Sequence, residues 1–118
     1  MAKRKVTPFG QWETTIASGN EAMYFRMGKT QFTHPACTSL NHAAFRLLML
    51  AKFEAKGQRE FALPYSVYKG FFSKGGFQKA VKELCDNGII EVAEHNKNRR
   101  IPNIYRFSEA WKTFRPPP

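Results

Sequence analysis

At 118 residues the chain is sized for one domain with a real core, and 42% apolar and 14% aromatic content, with 11 Phe, exclude a disordered polymer. Its 19 Lys+Arg against 9 Asp+Glu leave a formal net charge of +10, which points to a polyanionic partner, nucleic acid ahead of an anionic membrane surface. No apolar run can span a bilayer, MAKRKVTPFG lacks the apolar stretch of a secretory signal, and two cysteines suit free thiols better than a disulfide framework, so no membrane partner and a cytoplasmic home are expected.

Residues 1–31 read as an N-terminal arm and extension, 32–114 as the folded domain, and 115–118 as a C-terminal tail. Lys3, Arg4 and Lys5, followed by Pro8, read as a frayed terminus; the functional alternative is a basic arm along phosphate or in a minor groove. Residues 9–18, with Trp12 and Ile16, leave their structure open. Residues 23–27, MYFRM, have the character of a short strand punctuated by Gly28. Residues 39–56 carry the strongest helical pattern. Thr38 or Ser39 is the expected cap, Leu40, Ala44, Leu47, Leu48 and Ala51 make a stripe, and Gly57 closes it. Phe61-Ala62-Leu63 reads as a very short strand ended by Pro64. Residues 65–72 read as a second helix burying Val67, Tyr68, Phe71 and Phe72, with Gly70 against it.

Residues 73–88, SKGGFQKAVKELCDNG, have both helix ends written in. Ser73 is a good N-cap, and Asn87-Gly88 a good stop. Phe77, Ala80, Val81 and Leu84 fall on one face. Lys74, Gln78, Lys79 and Lys82 fall on the other, with no acid before Glu83. Residues 89–93 then alternate as a strand, and Ile104-Tyr105-Arg106-Phe107 reads as the strand returning from a polar turn. The tip of that hairpin holds Lys97, Arg99 and Arg100. Trp111, after Ser108, is placed to pack back on the core.

Two passages carry a resemblance. Asn87-Gly88-Ile89-Ile90-Glu91-Val92, with Leu84 in place, resembles the L-x-x-x-G-[FIL]-I-E-V step from recognition helix into wing. Asn103-Ile104-Tyr105-Arg106-Phe107 and then Trp111 resemble the N-x-Y-x-[FL]-S-x-x-W return strand. Over residues 32–114 the chain is similar to the winged-helix domains of plasmid and phage replication-initiation proteins and their relatives in mobile elements. The resemblance implies an α+β fold, a winged helix-turn-helix with a three-helix core and a C-terminal β-hairpin wing. It implies a sequence-specific double-stranded DNA-binding protein that controls replication or transcription of a plasmid, phage or mobile element. A homodimer and contacts with replication or transcription proteins fit the same family. Initiators of this kind often carry further domains, so a stand-alone DNA-binding module is the expectation.

In such a fold the recognition helix enters the major groove by its N-terminal half. That makes Lys74, Gln78, Lys79 and Lys82 the candidate contacts, Gln suited to adenine and Lys to guanine or phosphate. Gly75, with Gly76, either lets the backbone approach a phosphate or suits a crowded turn against Phe71 or Phe72. Lys97, Arg99 and Arg100 would touch the backbone or minor groove from the wing. His34, Cys37 and His42, with Cys85 as a distant fourth, match no closed zinc pattern, so no metal is expected. No phosphate loop, nucleophile elbow or catalytic carboxylate pair is present, so neither an enzyme nor a cofactor is expected. The competing class is a winged-helix module for protein contact without direct DNA contact, which exposed Phe72 or Phe114 would favour. RNA binding ranks third, since the aromatics lie at core spacing.

Overall fold

Three helices of this chain start where a side chain accepts a free first-turn N–H. The computed structural model describes residues 25–96 and 101–116. Two short helices come first, α1 (Lys29–Thr33) and α2 (Pro35–Thr38). Proline's fixed φ suits the first helical position, and His34 Nδ1 accepts the Ala36 N–H at 3.1 Å as the cap of α2. The main helix, α3 (His42–Ala55), is capped by Asn41, whose Oδ1 accepts the Ala44 N–H at 2.8 Å. The cap expected at Thr38 or Ser39 is thus displaced, because Thr38 belongs to α2 and Leu40 precedes α3. Ala44, Leu47, Leu48 and Ala51 form the buried stripe. Lys56 and Gly57, at φ 51° and 82°, end the helix in the left-handed region.

After β1 (Glu60–Ala62) comes a single helical turn, α4 (Tyr65–Tyr68), in place of the helix expected over 65–72. The N–H groups of Phe71 and Phe72 both turn back to the Tyr68 carbonyl, which closes the turn before the next helix. Tyr68 is buried and lies parallel to the Phe77 ring at 3.8 Å, whereas Phe71, expected in the core, is 51% exposed. Then follow α5 (Lys74–Asp86), β2 (Ile90–Glu94), β3 (Ile104–Phe107) and a 3-10 turn (Ala110–Thr113). Phe25 to Gly28 form no strand, contrary to the reading of 23–27, whose first two residues lie outside the described part.

The three strands make one antiparallel sheet in the order β1-β3-β2. Tyr105 of β3 stands opposite both Phe61 and Val92, and a shift between Val92 and Glu94 leaves Ala93 as a bulge. Tyr105 and Phe61 are buried, while on the other side Arg106 ties the sheet with ion pairs to Glu91 at 2.8 Å and Glu60 at 3.4 Å. Among the described residues the architecture is therefore α+β, with five α-helices against a three-stranded antiparallel sheet. Leu47, Leu48, Phe77, Leu84, Ile90, Tyr105 and Trp111 are buried in the core, with Phe45 and Val81 half-buried at its edge.

The junction of α5 and β2 fixes the rest. Gly88 donates to the Cys85 carbonyl and Ile89 to the Leu84 carbonyl, both at 3.0 Å, the paired bonds of a Schellman end. Gly88 has φ 76°, and a Cβ there would stand 2.7 Å from the Trp111 nitrogen. Its carbonyl accepts the Trp111 N–H at 3.0 Å, which brings the final turn onto the junction and buries Trp111. The Trp111 ring meets His34 edge-on at 5.2 Å. Buried Asn87 donates through Nδ2 to the Ala36 carbonyl at 2.8 Å and to Ser39 Oγ at 3.2 Å, so α2 is held by the end of α5.

Candidate nucleic-acid interface

Ser73 does what its position requires: its Oγ accepts the Gly76 N–H at 3.0 Å. The Lys74 and Gly75 N–H groups have no partner among the described residues and face outward at the positive end of the helix. Phe77, Ala80 and Leu84 are buried against the core. Lys74, Gly75, Gln78, Lys79 and Lys82 are all exposed, so the two faces separate as the spacing predicts. A Cβ at Gly75 would meet nothing within 4 Å, and one at Gly76 would meet only Ser73 Oγ, at 3.1 Å. The crowded turn against Phe71 or Phe72 is therefore not the reason for these glycines; Gly75 presents bare backbone.

The acids near α5 are already engaged. Glu83 turns toward α3, where its carboxylate accepts the Asn41 N–H at 2.7 Å and the Asn41 Nδ2 at 3.1 Å. Asp86 pairs with Lys82 at 2.8 Å, and that hydrogen bond, with the carboxylate charge, raises the Lys82 pKa. Between Phe61 and Lys82 the chain has Lys69, Lys74, Lys79 and Lys82 and no acid at all. Tyr65, exposed on α4, extends this surface: the Lys74 ammonium sits 5.3 Å above its ring. No sequence signal singled out Tyr65, because its neighbour comes from the next helix.

No family model, curated protein or solved structure matches this chain.

The second expected basic element, Lys97, Arg99 and Arg100, lies outside the described residues. The described base beneath it is tied across the hairpin. Asn103 Oδ1 accepts the Asn96 N–H at 2.7 Å, and Asn96, itself buried, donates through Nδ2 to the Pro102 carbonyl at 3.1 Å. In sequence Asn103 opens the return-strand motif, and nothing marks its bond to Asn96. His34 is engaged as the cap of α2 and against Trp111, and among the described residues no three His, Cys, Asp or Glu side chains are grouped to hold a metal ion. No described helix is long and apolar enough to cross a membrane.

Proposed function

We propose that the chain is a sequence-specific double-stranded DNA-binding protein of the winged helix-turn-helix type, a binding protein and not an enzyme, acting in the control of replication or transcription of a plasmid, phage or mobile element. The observation that carries this reading is the exposed N-terminal half of α5, free of acids from Lys74 to Lys82, with Lys74, Gln78 and Lys79 around a capped helix N-terminus. The order α3, β1, α4, α5 and then the β2–β3 hairpin, with β1 on the edge of β3, supports the fold part of the proposal. In this mechanism the N-terminal half of α5 enters the major groove. Gln78 reads a base edge, and Lys74, Lys79 and Lys82 meet phosphate or guanine. The Gly75 backbone approaches a phosphate at the helix end. Lys97, Arg99 and Arg100 then act from the wing.

Selection of bound sequences from random duplex DNA, followed by anisotropy titration of the selected duplex, tests it. A recovered motif is expected, with Gln78→Ala relaxing preference at one base position at a cost of about 1–3 kcal/mol of discrimination. Absence of duplex binding at low salt would overturn the proposal. The second reading, protein contact, is favoured by one observation. Phe72 and Phe114 are half-buried, but Phe32, Phe53 and Phe71 are exposed along the outer side of α3.

A further inference from the structure

A cavity of about 400 Å³ opens where α3 ends, and no residue of α5 lines it. Phe25 and Phe107 wall it, Arg26, Lys52 and Lys56 line it, and no acid does. Gly57, at φ 82°, turns the chain at its rim. The volume falls in the range of small-molecule sites.

Lys52 is the unusual member. Its side chain is half-buried, and its ammonium lies 5.2 Å over the Phe107 ring. The ring attracts the cation but leaves its charge uncompensated. Among the described residues no carboxylate pairs with Lys52, Arg26 or Lys56. Glu60, the first acid after Lys56, is held by Arg106 at 3.4 Å. The Phe107 carbonyl, which would repel an anion, already accepts from Arg59 Nε at 3.1 Å. Burial lowers the Lys52 pKa, as expected of an ammonium that loses water without gaining a counterion. Cations in a last helical turn also complement the helix dipole, which accounts for exposed Lys56. It does not account for half-buried Lys52, and the charges of Arg26, Lys52 and Lys56 together exceed the roughly half charge of a helix end.

We propose that this pocket binds a phosphate group, with Lys52 at its floor and Arg26 and Lys56 at its rim. A phosphate dianion engages several cations at once, and the planar fork of Arg26 suits two of its oxygens. A free phosphoester and the duplex backbone present the same group, and the binding experiment separates them.

Inorganic pyrophosphate is the first probe, added to the isotope-labelled chain and compared with sodium chloride at equal ionic strength. Saturable shifts of the Gly57 and Gln58 amides are expected with pyrophosphate and not with chloride. Lys52→Met keeps an aliphatic stem over Phe107 and should weaken binding about tenfold or more. Arg26→Gln and Lys56→Gln, both at exposed positions, should each weaken it several-fold, and they decide the matter if Lys52→Met does not fold. Lys79→Ala, on α5, should leave it unchanged. Shifts that no pocket variant changes overturn the proposal, as do shifts that Lys79→Ala weakens equally, since net charge alone would give those. Binding that appears only after Glu13 and Glu21 are changed to Gln makes a carboxylate of this chain the occupant and overturns it too. A short duplex is the second probe. If it shifts Gly57 and Gln58, and Lys52→Met makes its salt slope shallower by about 0.9, the phosphate is that of the DNA backbone. If it leaves those amides in place while pyrophosphate shifts them, the ligand is a free phosphoester. Neither probe moving them overturns the proposal. A chain that binds pyrophosphate here and no duplex keeps this site and loses the DNA-binding reading, on which the site does not rest.

Discussion

Asn87 and Gly88 act at one point in different ways, one by hydrogen bonds and one by backbone. Asn87→Ala removes the donor that reaches the Ala36 carbonyl at 2.8 Å, in a place where Ala36 is fully buried. The unsatisfied acceptor should cost about 1–3 kcal/mol. Gly88→Ala forces a left-handed residue to carry a Cβ 2.7 Å from the Trp111 nitrogen, and should cost more than about 1 kcal/mol. Gly75→Ala meets open space in a helix, so it should be neutral or stabilising by up to about 1 kcal/mol while weakening duplex binding through the lost backbone approach. Urea midpoints at constant m check all three. A Gly75→Ala variant less stable than Gly88→Ala would contradict the account. The thiols add a pH dependence. Burial pushes the Cys37 thiol above its ordinary 9.0, and burial followed by Asp86 and Glu91 does the same for Cys85. The folded chain keeps thiol protons that the unfolded chain releases, so this stability is full below the ordinary thiol value and is lost as pH rises through the folded values. Lys52 has the opposite sign: burial lowers its pKa, so its contribution improves as pH climbs toward 10.5. Melting curves of the chain beside Cys37→Ala/Cys85→Ala isolate the thiols, and the double variant should lose less stability between about pH 8 and 10.

Elements were legible where their signals are local. Helix α5 has its cap, its stop and its apolar spacing within its own residues, and it forms where they say. The start of α3 was not readable in the same way. Thr38, Ser39 and Asn41 are all capping types, and the choice is set by Glu83, which holds Asn41 from a distant helix. Helix α1 buries no residue, so it has no apolar period to detect. Helix α4 stops after one turn because Phe71 and Phe72 both bond to the Tyr68 carbonyl, a choice between turn geometries that composition does not express. The candidate site divides along the same line. The basic face of α5 follows from the apolar spacing, whereas the diversion of Glu83 to α3 and the arrival of Tyr65 beside Lys74 depend on tertiary contact. The hairpin gives a prediction at this scale. Asn103→Ala leaves the Asn96 N–H without its 2.7 Å acceptor. Amide exchange at Asn96 should speed up while that of α5 stays unchanged, and duplex binding should weaken if the hairpin belongs to the proposed interface. Equal acceleration throughout the chain would mean that Asn103 supports the fold and not the hairpin base.

Among the described residues, several acids are engaged away from the front of α5. Arg106 engages Glu60 and Glu91 on the sheet, Lys112 engages Glu109 on the last turn, and Glu83 holds Asn41. Asp86, by contrast, pairs with Lys82 and draws one cation of the proposed footprint toward the far end of the helix. If Lys74, Lys79, Lys82, Lys97, Arg99 and Arg100 form one surface and four to six engage phosphate, log K should fall with log salt at a slope of roughly −4 to −5. Lys79→Ala should make the slope shallower by about 0.9. Asp86→Asn should do the reverse: it frees Lys82 and removes a charge that repels phosphate, so duplex binding tightens at low salt and the slope steepens by up to about 0.9. It also removes an acid from the negative end of a helix, so stability should not fall. Changing Lys97, Arg99 and Arg100 together to Ala tests whether the hairpin belongs to the same surface, since the slope then loses up to about 2.7. Anisotropy titrations on duplex DNA at several salt concentrations measure every case. A flat response in the unaltered chain would take net charge away as an argument for nucleic acid and favour protein contact. A steep response that Asp86→Asn leaves unchanged would place Lys82 outside the footprint, with the DNA then lying across the N-terminal turn of α5 alone.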